Sequence, residues 1–329
     1  MKGNEIGESA KKLIANLFLW YDSISFQNNK KRLLLVEGTT DKDFIERITN
    51  KNDVYCVTPN NSVDSAPINN KEAIVQALFG LFRPEILDKT DQQNVRKLKE
   101  KVKDLVFGMV DLDYDDPSSY EPMPWLFVTD THDLETLLLS TDEDLVRRLK
   151  IPEDYSKKAY YLAYQLGFLR REVAKQKTFL KPIKCEADYE TFVDGNTYKI
   201  NLEKLLEFFS YKKKKEEILK SKEIKKKIDK DSLLWKGDLK DFDKSTYADF
   251  WQVVNGHEIL SLIRYIYQQE ADEGARNEAL PLLHADFEKI IITKYDCSTL
   301  EKTKIYDRMK NENVVDSDKI KILDEHESR

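Results

Sequence analysis

The chain has 329 residues, 40% of them hydrophobic and 35% charged, with a net charge of -6 and a mean hydropathy of -0.61. That length and apolar content suit two ordinary domains with buried cores, while the surplus of acid excludes a protein held on nucleic acid by its overall charge. The longest apolar stretch, Leu13 to Tyr21, is interrupted by Asn16 and is too short to span a bilayer.

The first residues, MKGNEIGESAKK, mix acids and bases and contain no apolar core of an export signal, so a cytoplasmic location without a membrane partner is expected. Cys56, Cys185 and Cys297 are odd in number and far apart, which fits free thiols in a reducing compartment. Apolar residues at three- and four-residue intervals predict an N-terminal helix over 5–27. Arg32 to Val36 reads as a short buried strand. Thr40-x-x-Asp43 then opens a helix with Phe44, Ile45 and Ile48 on one face. Asp53 to Thr58 predicts a second strand, 69–82 a helix, and 85–104 a charged helix. Asp104 to Val110 and Trp125 to Thr129 predict two more strands, followed by helices over His132 to Leu139 and Asp142 to Leu149.

Strands alternating with helices predict a parallel α/β sheet over residues 30–150, with helices on both faces. The N-terminal helix occupies 1–29 of this division, and past Ile151-Pro152 the pattern becomes mostly helical to 329. Within 203–230 lies a lysine-rich arm, where 212–230 carries ten lysines against four acids. A solvated helix face is the plain reading of such a run. Its functional reading is phosphate contact through Lys212, Lys213, Lys214, Lys215, Lys225, Lys226 and Lys227.

The chemistry concentrates in two short stretches, LLLVEGTTDKDF (33–44) and VFGMVDLDYDD (106–116). Glu37 directly follows the first strand and Asp111 the third. In an open α/β sheet, ligands gather beyond the carboxyl ends of the strands, so neighbouring strands would bring both acids to one edge. Asp113, two residues on in extended chain, would point to the same side, and Asp41 starts the next helix. Four carboxylates this close need compensation, and an oxygen-only set suits Mg²⁺ or Mn²⁺. Such a site supports phosphodiester hydrolysis or phosphoryl transfer. Taken singly, Glu37 reads equally well as a turn acid, and Asp115 and Asp116 as a solvated loop.

These two stretches resemble the Toprim (topoisomerase–primase) domain, with its Glu-Gly after the first strand and Asp-x-Asp after a later one. The Glu37-x-x-x-Asp41 spacing is similar to the OLD-type nuclease version. LFVTDTHDLETLLL (126–139) and NGHEILSLI (255–263) further resemble a Toprim-like branch paired with ABC-type ATPases in bacterial antiphage modules such as the PARIS system. The resemblance implies a Rossmann-like Toprim fold and a metal-dependent endonuclease acting on DNA or RNA, tRNA included, as the toxic effector of such a module. It further implies an ABC-type ATPase partner; a homodimer is left open as a further partner. Glu37 would be a metal ligand or general base, Asp41 its co-ligand, Asp111 and Asp113 the Asp-x-Asp ligands, and Glu135 a further ligand completing the site. No lysine or arginine is assigned as the cation that stabilises the transition state; Lys42 reads as a solvated helix residue.

His132, three residues before Glu135, shares its predicted helix face and is a candidate general acid or a group that orients one. Asn255 reads as a helix N-cap with Glu258 at the capping-box position, and only the resemblance makes His257 a site candidate. His284 and His326 carry no signal. Two other readings compete. In a haloacid-dehalogenase-like phosphotransferase Asp111 would be the covalent nucleophile, which leaves Glu37 unexplained. A non-catalytic Toprim-shaped adaptor would have no need to gather acids.

Overall fold

Leu33 to Val36 are all but inaccessible to solvent, as a strand buried on both faces must be, and they form the central strand of a small sheet. The structure, a computed structural model, describes residues 7–21, 32–50, 53–59, 70–83, 89–121, 123–174, 186–211, 237–274, 287–315 and 320. Contacts divide the chain into two units, 1–130 with 296–329, and 131–295. The division thus falls twenty residues before the expected boundary at 150, and the chain returns to its first unit at the end.

The first unit contains α1 (Glu8–Tyr21), β1 (Arg32–Val36), α2 (Thr39–Ile48), β2 (Val54–Val57), α3 (Asn70–Phe82), α4 (Lys89–Val102), β3 (Val106–Val110) and β4 (Leu126–Val128). The strands form one all-parallel sheet in the order β2-β1-β3-β4. Chain order therefore reverses between β1 and β3, which is the switch point where open α/β sheets leave a crevice. On one face, Leu33, Leu35, Val106, Val110 and Leu126 pack into a core with α1, α3 and α4. Gly108 permits this approach, because a Cβ there would lie 2.6 Å from Leu78 Cδ1 and 2.8 Å from Ile74 Cγ2. On the other face, α2 contributes Phe44, Ile45 and Ile48. A C-terminal helix, Lys304–Asn311, packs on β4, where Arg308 donates to the Leu126 carbonyl at 2.7 Å and lies over the Phe127 ring.

The second unit is helical in its described residues, apart from an isolated bridge between Val193 and Ile200. Its main elements are α5 (Leu134–Thr141), α6 (Glu153–Ala174), α7 (Gly256–Glu270) and α8 (Phe287–Lys294). α6 and α7 pack against each other, and between them Arg170 donates to both oxygens of Glu258 at 2.6 and 3.2 Å. Both side chains are buried, so this pair joins the two helices as a desolvated fork. Among the described residues no helix is long and apolar enough to cross a membrane.

Three local expectations change. The helix after Glu37 begins at Thr39 with Gly38 as its N-cap residue, and Asp41, not Asp43, returns to accept the Gly38 N–H at 2.8 Å. Asp113 is not in extended chain but at φ 53°, because the chain turns there. His132 lies before α5 and outside it, since Asp133 is the N-cap and accepts from the Thr136 N–H at 2.9 Å. His132 and Glu135 therefore share no helix face. The lysine-rich run 212–230, with its seven candidate phosphate contacts, lies outside the described residues, as do His284, His326 and Cys185.

Candidate functional site

The β1–β3 register pairs Val36 with Met109, so Glu37 comes level with Val110, one residue before Asp111, at the switch point. The Asp111 N–H donates to Glu37 Oε1 at 2.8 Å. Asn70, at the start of α3, donates to the Glu37 carbonyl at 2.7 Å, which leaves its own Oδ1 buried without a hydrogen-bond partner among the described residues. The Leu112 N–H donates to Thr129 Oγ1 at 2.9 Å and fixes the loop after β3 to the end of β4.

Burial pushes the Glu37 carboxyl up to about 8. The bond from the Asp111 N–H and the charge of Lys71 pull it down, and Asp113 and Asp41 push it further up. Asp113 and Asp41 thus act on Glu37 at this edge, and burial favours its neutral form.

Lys71, in the first turn of α3, brings positive charge to this edge. Its ammonium group reaches the Leu112 carbonyl at 3.1 Å, Asp113 Oδ2 at 2.9 Å and Asp115 Oδ2 at 2.8 Å, and it lies over the Tyr120 ring. Burial works against the charged form, but Asp113, Tyr120 and Asp115 outweigh it and hold the pKa above that of a free lysine. Burial also disfavours a charged Asp115, whose carboxyl is nevertheless held low by Lys71 and by the Tyr120 hydroxyl, which donates to it at 2.5 Å. Asp115, read from sequence as solvated loop, is thus partly engaged. The sequence reading missed Lys71; the one signal for it is a cation in a helix first turn, where the dipole disfavours it.

Glu135 belongs to the second unit, in a cluster of its own. His257 Nδ1 lies 2.7 Å from Glu288 Oε1 and 3.7 Å from Glu135 Oε1. The charge of Glu135 pushes the His257 imidazole up to about 10 against the effect of burial, with help from Glu288 and Asp133. Beside it, Asp133 accepts the Gly256 N–H at 2.7 Å and pairs with His132 Nδ1 at 3.1 Å. Burial would raise Asp133, but His132, His257 and the Thr136 N–H bring it down to about 2. Asn255 caps α7 by accepting the Glu258 N–H at 3.0 Å. Nothing in the sequence around Glu288 announces its part in this cluster.

The described strands form an all-parallel sheet flanked by helices, a mixed α/β architecture compatible with a Rossmann-like fold. Compared with known proteins, the chain matches no family model, no curated protein and no solved structure.

Proposed function

We propose that the protein is a Toprim-type, divalent-metal-dependent nuclease whose site lies at the β1–β3 edge. The observation that carries this reading is the bond from the Asp111 N–H to Glu37 Oε1, which joins the ends of the two strands bearing the Glu-Gly and Asp-x-Asp stretches. The candidate donor set is oxygen-only. That chemistry fits Mg²⁺ or Mn²⁺, with Glu37, Asp41, Asp111 and Asp113 as the residues that would hold the ion. When bound, such an ion lowers the pKa of water and offsets charge on a phosphodiester. The Asp111 N–H orients the Glu37 carboxylate and leaves Oε2 to take up a proton. Lys71, kept charged by Asp113 and Asp115, contributes the fixed positive charge that the sequence reading left unassigned. A role as effector beside an ABC-type ATPase rests on the likeness of the sequence motifs alone.

The test is to express the full chain with and without the neighbouring ATPase, supply Mg²⁺ or Mn²⁺, and sequence the ends of cleaved RNA and DNA. E37Q, which keeps shape and removes charge, is expected to abolish cleavage while leaving the thermal melt intact. Full cleavage by E37Q would reject the assignment. Phosphatase activity that survives E37Q but not D111N would favour the dehalogenase-like alternative.

A further inference from the structure

We propose that Glu135, His257 and Glu288 form a binding site for a divalent first-row transition-metal ion, built entirely from the second unit. This goes beyond the nuclease reading and does not depend on it. Among the described residues, these three offer one donor atom each with all three atoms within 4.8 Å of one another. An ion held at about 2.0–2.2 Å from each donor in near-tetrahedral geometry sets its donors about 3–3.5 Å apart. The observed 2.7 Å between His257 Nδ1 and Glu288 and 3.7 Å between His257 Nδ1 and Glu135 bracket that spacing.

The backbone that presents the donors is fixed. Glu135 sits in the first turn of α5, His257 in that of α7 and Glu288 in that of α8. Gly256 brings α7 against α5 so closely that a Cβ there would lie 2.4 Å from Glu135 Cβ and 2.5 Å from Asp133 Oδ1. The Asp133 carboxylate then holds the Gly256 N–H, and the next residue, His257, is thereby aimed at Glu135. Exposure is graded in a way that suits an ion site. The Glu135 side chain is 4% exposed, whereas those of His257 and Glu288 are 29% and 33% exposed. A cation has a way in, and water can complete its coordination. The imidazole nitrogen sets the selectivity, because Mg²⁺ and Ca²⁺ prefer oxygen while Zn²⁺, Mn²⁺ and Co²⁺ accept mixed nitrogen and carboxylate donors.

The competing account is a protonated His257 that simply neutralises two carboxylates, and metal uptake separates the two. The full chain, stripped with chelator, is titrated with Zn²⁺ by calorimetry in a D111N background, which weakens competing uptake by the acids of the first unit. Co²⁺ added in place of Zn²⁺ gives a visible d–d band that reports coordination directly. The expected result is one equivalent of Zn²⁺, bound roughly tenfold or more weakly in H257Q and in E288Q, with the Co²⁺ band altered in both. E288Q changes a partly exposed carboxylate and keeps its size, so it stays informative even if H257Q fails to fold. Equal stoichiometry and affinity in the parent and E288Q, or no uptake by the parent, would overturn the proposal. Loss of cleavage in E37Q bears on the nuclease reading alone.

Discussion

Lys71 shows how one residue settles an acidic edge. Its side chain is 10% exposed, while those of Asp113 and Asp115 are 39% and 50% exposed. Removing one member of a fully buried pair costs about 3–5 kcal/mol, but hydration of the two carboxylates reduces the loss here to about 2 kcal/mol. K71M is therefore expected to lower unfolding stability by that amount and to weaken cleavage more than it weakens folding. Chemical denaturation and single-turnover cleavage of the same preparation check both. Cleavage unchanged in K71M would remove Lys71 from the mechanism. Cys56 marks the opposite case, since burial chiefly pushes its thiol up to about 12, leaving an inert core residue on β2.

At the scale of elements, close approach and a desolvated ion pair hold the second unit's helices. G256A places a methyl group into Glu135 and Asp133 at 2.4 and 2.5 Å and is expected to cost about 2–3 kcal/mol. G195A, where a Cβ meets nothing within 4 Å, is expected to stay within about 0.5 kcal/mol of the parent. Equal melting temperatures for the two variants would contradict the packing described. The Arg170–Glu258 fork yields a sharper test by comparing removal of one partner with apolar replacement of both. R170A removes the guanidinium partner of a fully buried carboxylate and should cost about 3–5 kcal/mol, whereas R170M/E258L should cost far less. If the double variant is as unstable as R170A, the pair contributes more than charge compensation.

At the scale of the whole molecule, the chain returns near its end to close its first unit. Asp130 accepts the Lys304 N–H at 2.6 Å, and Ile305, Tyr306, Met309 and Val314 are buried there. Four such side chains contribute on the order of 5 kcal/mol or more, comparable to the stability of a whole domain. A chain ended after Tyr295 is expected to lose the cooperative melt of the first unit while the full chain keeps it. A calorimetric transition unchanged by the truncation would show that the returning segment is dispensable.

The sequence by itself determined the strands and the placement of Glu37 and Asp111 just past two of their ends. Runs such as Leu33–Val36 and Val106–Val110 are apolar on both faces, and alternation with helices implies parallel order, which puts Glu37 and Asp111 at the carboxyl ends of their strands. That β1 and β3 are neighbours was decided by the sheet order. Asn255 as a cap was equally legible, because capping is a contact between near neighbours. Tertiary structure alone decided which charges meet across distance. Lys71 reaches Asp113 over 42 residues, His257 meets Glu288 over 31, and the left-handed turn at Asp113 serves the first of these contacts. Local propensity is written into neighbouring residues, whereas a buried charge finds its partner only when packing removes the water that would otherwise solvate it.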